Sequence, residues 1–339
     1  MTHRFRLAPK QWLIFALIVA VVCGLAGRFG LNHLMARPPE VPDSVSVLRD
    51  VQYAKAGKVK LLADVYRPRH ATGPLPVIVW IHGGGWEGGT KLHCPIVDFA
   101  ALGYAVVSID YRLAPKHRWP AQIEDCKAAV RWVRASAEKY GFDPKRVAAA
   151  GASAGGHLAA LLGTSGDVKA LEGKRNHLKH SSRMRAVLDL FGPIDLPAAI
   201  KQKDSKLLRR LTDQLFHGNK RRLSDAELNR RATQASPTTH ITKDDPPFLI
   251  IHGSKDPLVP LGQSELLHEQ LTKAKLKSKL HVIEDAEHGG KEFATPKIRH
   301  MIERFFDEYL KHAPPETQPA DAPDAPDESD ESDESAETQ

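Results

Sequence analysis

The chain has 339 residues, room for one large domain or two small ones, and its 42% hydrophobic residues are enough for a sizeable core. The net charge of +7 is unevenly placed: residues 313–339 hold ten acidic residues and no Lys or Arg, so residues 1–312 set 48 cations against 31 anions, or +17. Much of that excess lies between Lys201 and Arg231 with no aromatic residues interleaved as on a base-stacking surface, which argues against nucleic-acid binding, and Cys23, Cys94 and Cys126 fit no disulfide, zinc or redox spacing.

Arg4, Arg6 and Lys10 precede an uncharged run over residues 11–27. A basic start before an apolar run reads as an export signal. Cleavage near Gly24-Leu25-Ala26 and retention as a membrane anchor both stay open, and either puts the rest of the chain outside the cytoplasm. Pro38, Pro39 and Pro42 make a linker, so residues 1–43 are set apart from a domain over 44–312, and 313–339 form an acidic tail expected to be disordered.

Within the domain, Val45–Tyr53 and Lys60–Tyr66 read as an antiparallel pair of strands. Val77–Ile81 is apolar at every position, as a strand covered on both faces should be, and it runs into His82-Gly83-Gly84-Gly85-Trp86. A short helix over 94–102, a strand over 104–109 and a long helix over 120–140 follow. Strand Val147–Ala150, the turn Gly151-Ala152-Ser153-Ala154-Gly155 and a helix through Leu158–Leu162 come next. This alternation predicts an α/β domain with a mostly parallel sheet of about eight strands, helices on both faces and right-handed crossovers. The sixth strand, 187–191, precedes a Lys- and Arg-rich stretch, 196–236, read as short helices inserted above the sheet's carboxyl edge, either a lid or a surface excursion. Strand 248–251, helix 261–275, strand 280–283 and a closing helix over 292–311 complete the pattern.

The chemistry centres on Ser153. A serine on a sharp strand-to-helix turn has its hydroxyl lifted clear of the sheet. It needs a base to take its proton and a carboxylate to orient that base. Asp256 directly follows a strand and is the preferred acid, with Asp195 as its rival. His288 lies on a loop and is the preferred base, whereas His281 falls in a strand and His300 in a helix. The main-chain N–H groups of Gly83, Gly84 and Ala154 are the candidate oxyanion donors. His82, His157 and His252 are read as structural. No histidine motif indicates a metal, and nothing calls for a cofactor.

Five motifs in order, His82-Gly83-Gly84-Gly85-Trp86, Asp110-Tyr111-Arg112-Leu113-Ala114-Pro115, Gly151-Ala152-Ser153-Ala154-Gly155-Gly156, His252-Gly253-Ser254-Lys255-Asp256-Pro257 and Glu287-His288-Gly289, resemble the α/β-hydrolase esterase/lipase group. That group includes the hormone-sensitive-lipase-like carboxylesterases and bacterial acetyl and feruloyl esterases. The resemblance covers roughly residues 45–312. It implies that Ser153, Asp256 and His288 form the triad and that Gly83, Gly84 and Ala154 line the oxyanion hole. The N-terminal helical cap of many hormone-sensitive-lipase-like members is absent, which leaves 196–236 as the cover. The expectation is a serine carboxylic-ester hydrolase working through an acyl-enzyme on short-acyl esters, including acetyl or feruloyl esters of carbohydrates. An amide hydrolase with the same triad is the alternative, and a non-catalytic envelope binding protein the remote one.

Overall fold

The computed structural model describes residues 40–312 apart from 167, 202–204 and 219–221, so the predicted export segment and acidic tail lie outside the described residues. Among those described, the strands are β1 (Val45–Ala56), β2 (Val59–Pro68), β3 (Leu75–Ile81), β4 (Ala105–Ile109), β5 (Phe142–Ala152), β6 (Val187–Leu190), β7 (Phe248–Gly253) and β8 (Ser278–Ile283). They form one sheet in the order β1-β2-β4-β3-β5-β6-β7-β8. The β1–β2 and β2–β4 pairings are antiparallel and all others are parallel. The carboxyl ends of β3, β5, β6, β7 and β8 therefore share one edge.

Among the described residues the α-helices of more than one turn are α1 (Ala121–Ala135), α2 (Ala154–Thr164), α3 (Leu196–Lys201), α4 (Lys206–His217), α5 (Asp225–Ala235), α6 (Gly262–Lys273) and α7 (Pro296–Phe306). The period-2 alternation of β3 sorts its side chains into two cores. Val77, Val79 and Ile81 join α1, α2 and α6 on one face, while Ile78 and Trp80 join α7 and the turn at 97–102 on the other. A strand buried on both faces must be apolar throughout, which explains β3.

Three predicted helices are shorter than the sequence suggested. The long one stops at Ala135, because Ser136 leaves helical geometry (φ −102, ψ 15), and a single turn over Ala137–Tyr140 ends at Gly141 in the left-handed region. Only Val97–Leu102 of 94–102 is helical, as a 3-10 turn. The closing helix begins at Pro296, where proline's missing N–H costs nothing and the Thr295 hydroxyl caps the Ile298 N–H. The stretch after β6 folds as α3, α4 and α5, and α4 carries Leu208, Leu211, Leu215 and Phe216 on its buried side.

Candidate active site

β5 ends at Ala152 and α2 begins at Ala154, so Ser153 alone makes the turn. Its backbone (φ 57, ψ −121) is one that L-residues rarely adopt. Two hydrogen bonds fix it: its N–H donates to the Leu190 carbonyl (2.8 Å), and its own carbonyl accepts from His157 N–H (3.0 Å). Helix α2 starts so close to the end of β3 that a Cβ on Gly155 would run into the Ile81 carbonyl. That is why the motif requires glycine there.

Ser153 Oγ donates to His288 Nε2 at 2.8 Å, and His288 Nδ1 donates to Asp256 Oδ2 at 2.6 Å. Three residues 32 and 135 positions apart in sequence thus form one continuous chain. The Asp256 side chain is fully buried, and that of His288 is 12% exposed. Burial by itself would raise the Asp256 carboxyl; hydrogen bonds from His252, from His288 and from backbone N–H outweigh it and hold the pKa far below the usual carboxylate range. Asp256 Oδ1 accepts the N–H groups of Leu258 (2.8 Å) and Val259 (2.9 Å), which fixes the carboxylate's direction. The rival Asp195 instead caps α3, its Oδ1 accepting from Ala198 N–H at 2.9 Å.

Two contributors escaped the sequence reading. His252 Nε2–H donates to the Val259 carbonyl (2.8 Å) and lies 3.3 Å from Asp256 Oδ2, while its Nδ1 accepts from the Ser264 hydroxyl (2.7 Å). Read from the sequence as structural, it stands directly behind the Asp256 carboxylate. Phe191 packs its ring against the His288 imidazole at 4.7 Å between centroids and 61°, closing one side of the base.

Gly83 lies beside Ser153: a Cβ there would sit 2.8 Å from the Ala152 carbonyl and 3.3 Å from Ser153 Cβ. Among the described residues the N–H groups of Gly83, Gly84 and Ala154 donate to no protein acceptor. The loop carrying the first two is held from several sides. His82 Nδ1–H donates to the Gly83 carbonyl (2.8 Å), and its ring stacks on Tyr111 (4.3 Å, 13°). Trp86 Nε1–H donates to His157 Nδ1 (3.1 Å), which leaves His157 Nε2–H for the Ala235 carbonyl at the end of α5 (2.7 Å). Behind the loop, buried Lys91 bridges Asp50 and Asp64 at 2.8 Å each, and its N–H donates to Asp110. Arg112 grips both oxygens of Asp125 on α1.

A serine hydroxyl, imidazole and buried carboxylate in series, with free N–H groups beside the serine, is an arrangement suited to acyl transfer. The family model described as BD-FAE matches residues 63–271, a span running from β2 into α6. The chain belongs to that family. The family sits within the α/β-hydrolase esterase group, in line with the eight-stranded sheet. Esterase LipC of Mycobacterium tuberculosis is 33% identical over 265 residues, 75% of this chain and 64% of the relative. The chain spans between about half and two thirds of the curated relatives that match most of its length. Among solved structures, a truncated carbohydrate esterase from gut microbiota is 30% identical with a TM-score of 0.71, covering 81% of this chain and 99% of that one. Propionate-bound esterase 2 of Thermogutta terrifontis is 28% identical with a TM-score of 0.64, covering 82% and 99%.

Proposed function

We propose that this BD-FAE family member is a serine carboxylic-ester hydrolase that works through an acyl-enzyme on short-acyl esters, such as acetyl or feruloyl esters of carbohydrates. The observation that carries the reading is the unbroken hydrogen-bond chain from Ser153 through His288 to Asp256. Ser153 Oγ attacks the ester carbonyl carbon while His288 Nε2 takes the hydroxyl proton. The N–H groups of Gly83, Gly84 and Ala154 receive the charge that develops on the carbonyl oxygen. His288 then returns the proton to the departing alcohol, leaving the acyl group on Ser153. A water deprotonated by the same imidazole releases the acid. Asp256, ionised throughout, holds the Nδ1–H tautomer and stabilises the transient imidazolium.

Substrate class rests on analogy with neighbours described as a carbohydrate esterase and as an esterase with propionate bound. In this reading α3–α5 serve as the lid, since α4 lies against the oxyanion loop, and the basic, apolar N-terminal segment exports or tethers the enzyme. The test is labelling by a fluorophosphonate together with hydrolysis of a chain-length series of aryl esters, acetylated xylan and a feruloylated sugar. Ser153→Ala is expected to lose labelling and at least ~10³-fold in kcat/KM. Undiminished labelling in that variant overturns the nucleophile, and turnover of formyl-amide or peptide substrates well above that of acetyl esters moves the assignment to an amide hydrolase.

A further inference from the structure

The carboxyl edge of the sheet carries the site just described; the opposite edge carries a concavity. A groove of about 820 Å³ opens where β7 and β8 begin, between the end of α6 and the flank of α7. Its apolar lining includes Leu276 and Phe305, and four cations surround that surface: Lys277, Lys279, Lys297 and Arg304. Among the described residues none of the four forms an ion pair with a carboxylate. Lys277 lies over the Tyr309 ring at 5.5 Å. Two acids stand close by: Glu308 lines the groove, and Glu303 Oε2 lies 3.6 Å from His300 Nδ1. The field of the cations reaches His281 on β8, whose pKa is lowered by burial first and then by Lys297 and Lys279.

A concentration of unpaired positive charge over an apolar floor selects an extended anionic ligand. Such a ligand is attached to the groove itself. After α7 the chain turns through Asp307–Lys311 and leaves the described structure at His312, three residues past the groove-lining Tyr309. The 27 residues that follow contain ten acids and no Lys or Arg, and eight of those acids fall between Asp324 and Glu337. The intervening eleven residues reach up to ~40 Å when extended, enough to return to the groove, and tethering gives an effective concentration of order millimolar.

We propose that the acidic segment 324–337 of this chain docks in its own basic groove. Its carboxylates face Lys277, Lys279, Lys297 and Arg304, and Ala325 and Pro326 supply small apolar groups for the floor. Docking there also covers β8, an edge strand whose free main-chain groups otherwise invite pairing with another chain.

Zero-length carbodiimide cross-linking of the full chain at low concentration, with peptide mapping, tests this. Amide links within the monomer from Lys277, Lys279 and Lys297 to acids in 324–337 are expected. Their yield should fall at least ~5-fold in about 0.5 M salt, because the contacts are electrostatic. Tail links from Lys277, whose amine is kept, should fall likewise in Lys279→Gln/Lys297→Gln, while links among lysines and acids outside the groove stay unchanged. Tail links spread evenly over unrelated lysines such as Lys55 and Lys174, or no tail links at all, overturn the proposal. Links confined to a dimer band give the groove to a second copy's tail. Sedimentation with phosphatidylglycerol vesicles that Lys279→Gln/Lys297→Gln abolishes, without tail links, gives it to a membrane surface. Both of those outcomes also overturn it, and none bears on the chemistry at Ser153, which lies at the other edge of the sheet.

Discussion

Both oxygens of Asp256 are occupied, Oδ1 by two backbone N–H groups and Oδ2 by His288, with His252 Nε2 3.3 Å from the same oxygen. The carboxylate and the histidine behind it therefore predict different losses. Asp256→Asn removes the charge and the tautomer control together, and about a 10⁴-fold fall in kcat is expected. His252→Leu leaves the carboxylate charged but removes one donor. Because its Nε2–H points chiefly at the Val259 carbonyl, His252 supplies less than the roughly 1.5–3 kcal/mol of a full hydrogen bond to a charged group, so kcat should fall about 10-fold, with KM nearly unchanged because His252 touches no substrate. A fall in kcat/KM carried by KM alone would reject this positioning role. The Ser153–His288–Asp256 arrangement was legible in the sequence because its members come in order and each follows a strand or lies on a loop. The His252–Asp256 contact was not legible, since a four-residue spacing across a strand end has no fixed geometry until the turn at 253–256 folds. Phe191 was hidden for a related reason: at the end of β6 it read as one more apolar strand residue, and only the sheet order places it beside His288.

At the level of elements, α4 decides what surrounds the loop that carries Gly83 and Gly84. Leu211 packs so tightly on Gly85 that a Cβ added there would lie 2.7 Å from its methyl carbons. Arg210 pairs with Glu87 on the same loop at 3.0 Å, and the Trp119 N–H donates to the Leu215 carbonyl at 3.0 Å. Two distinct costs of Gly85→Ala follow. Its φ of +62 disfavours any side chain by ~1–2 kcal/mol, and the clash with Leu211 adds ~1–3 kcal/mol while pushing the loop away from Ser153. Only the second cost is relieved by Leu211→Ala. A double-mutant cycle on urea-unfolding stability and on kcat/KM should therefore show a coupling of ~1–2 kcal/mol, with the double variant more active than Gly85→Ala alone. Strict additivity would mean that α4 does not bear on the loop. The helices of 196–236 were readable from their spaced leucines. The surface they cover was not, because an amphipathic stripe names its apolar face and not the partner of that face.

Taken as a whole, the molecule buries titratable groups whose linkage to folding can be measured. His82 and His157 are fully buried, and burial lowers each from 6.5 to about 4. Both bind a proton more readily when unfolded. Their contribution is thus fully present above pH 6.5 and is lost as pH falls toward 4, by roughly 3 kcal/mol each. Asp189 has the opposite sign: burial raises it from 3.8 to about 6, so its cost is present above pH 6 and is relieved by roughly 3 kcal/mol as pH falls through that window. The depressed Asp256 adds a loss only below pH 3.8. Between pH 7 and 4 these terms leave a net loss of roughly 3 kcal/mol, a large share of the 5–15 kcal/mol typical of a folded domain. Urea unfolding at pH 7, 5 and 4 is the measurement. In His157→Gln the acid loss should shrink by about one histidine's share, whatever the variant costs at pH 7. In Asp189→Asn the loss should steepen, because the compensating relief is gone. Both histidines hold the loop that carries Gly83 and Gly84, His82 through the Gly83 carbonyl and His157 through Trp86. Hydrolytic activity should therefore fail on acidification before the sheet unfolds. An activity loss that coincides with global unfolding at every pH would separate the loop from these two residues.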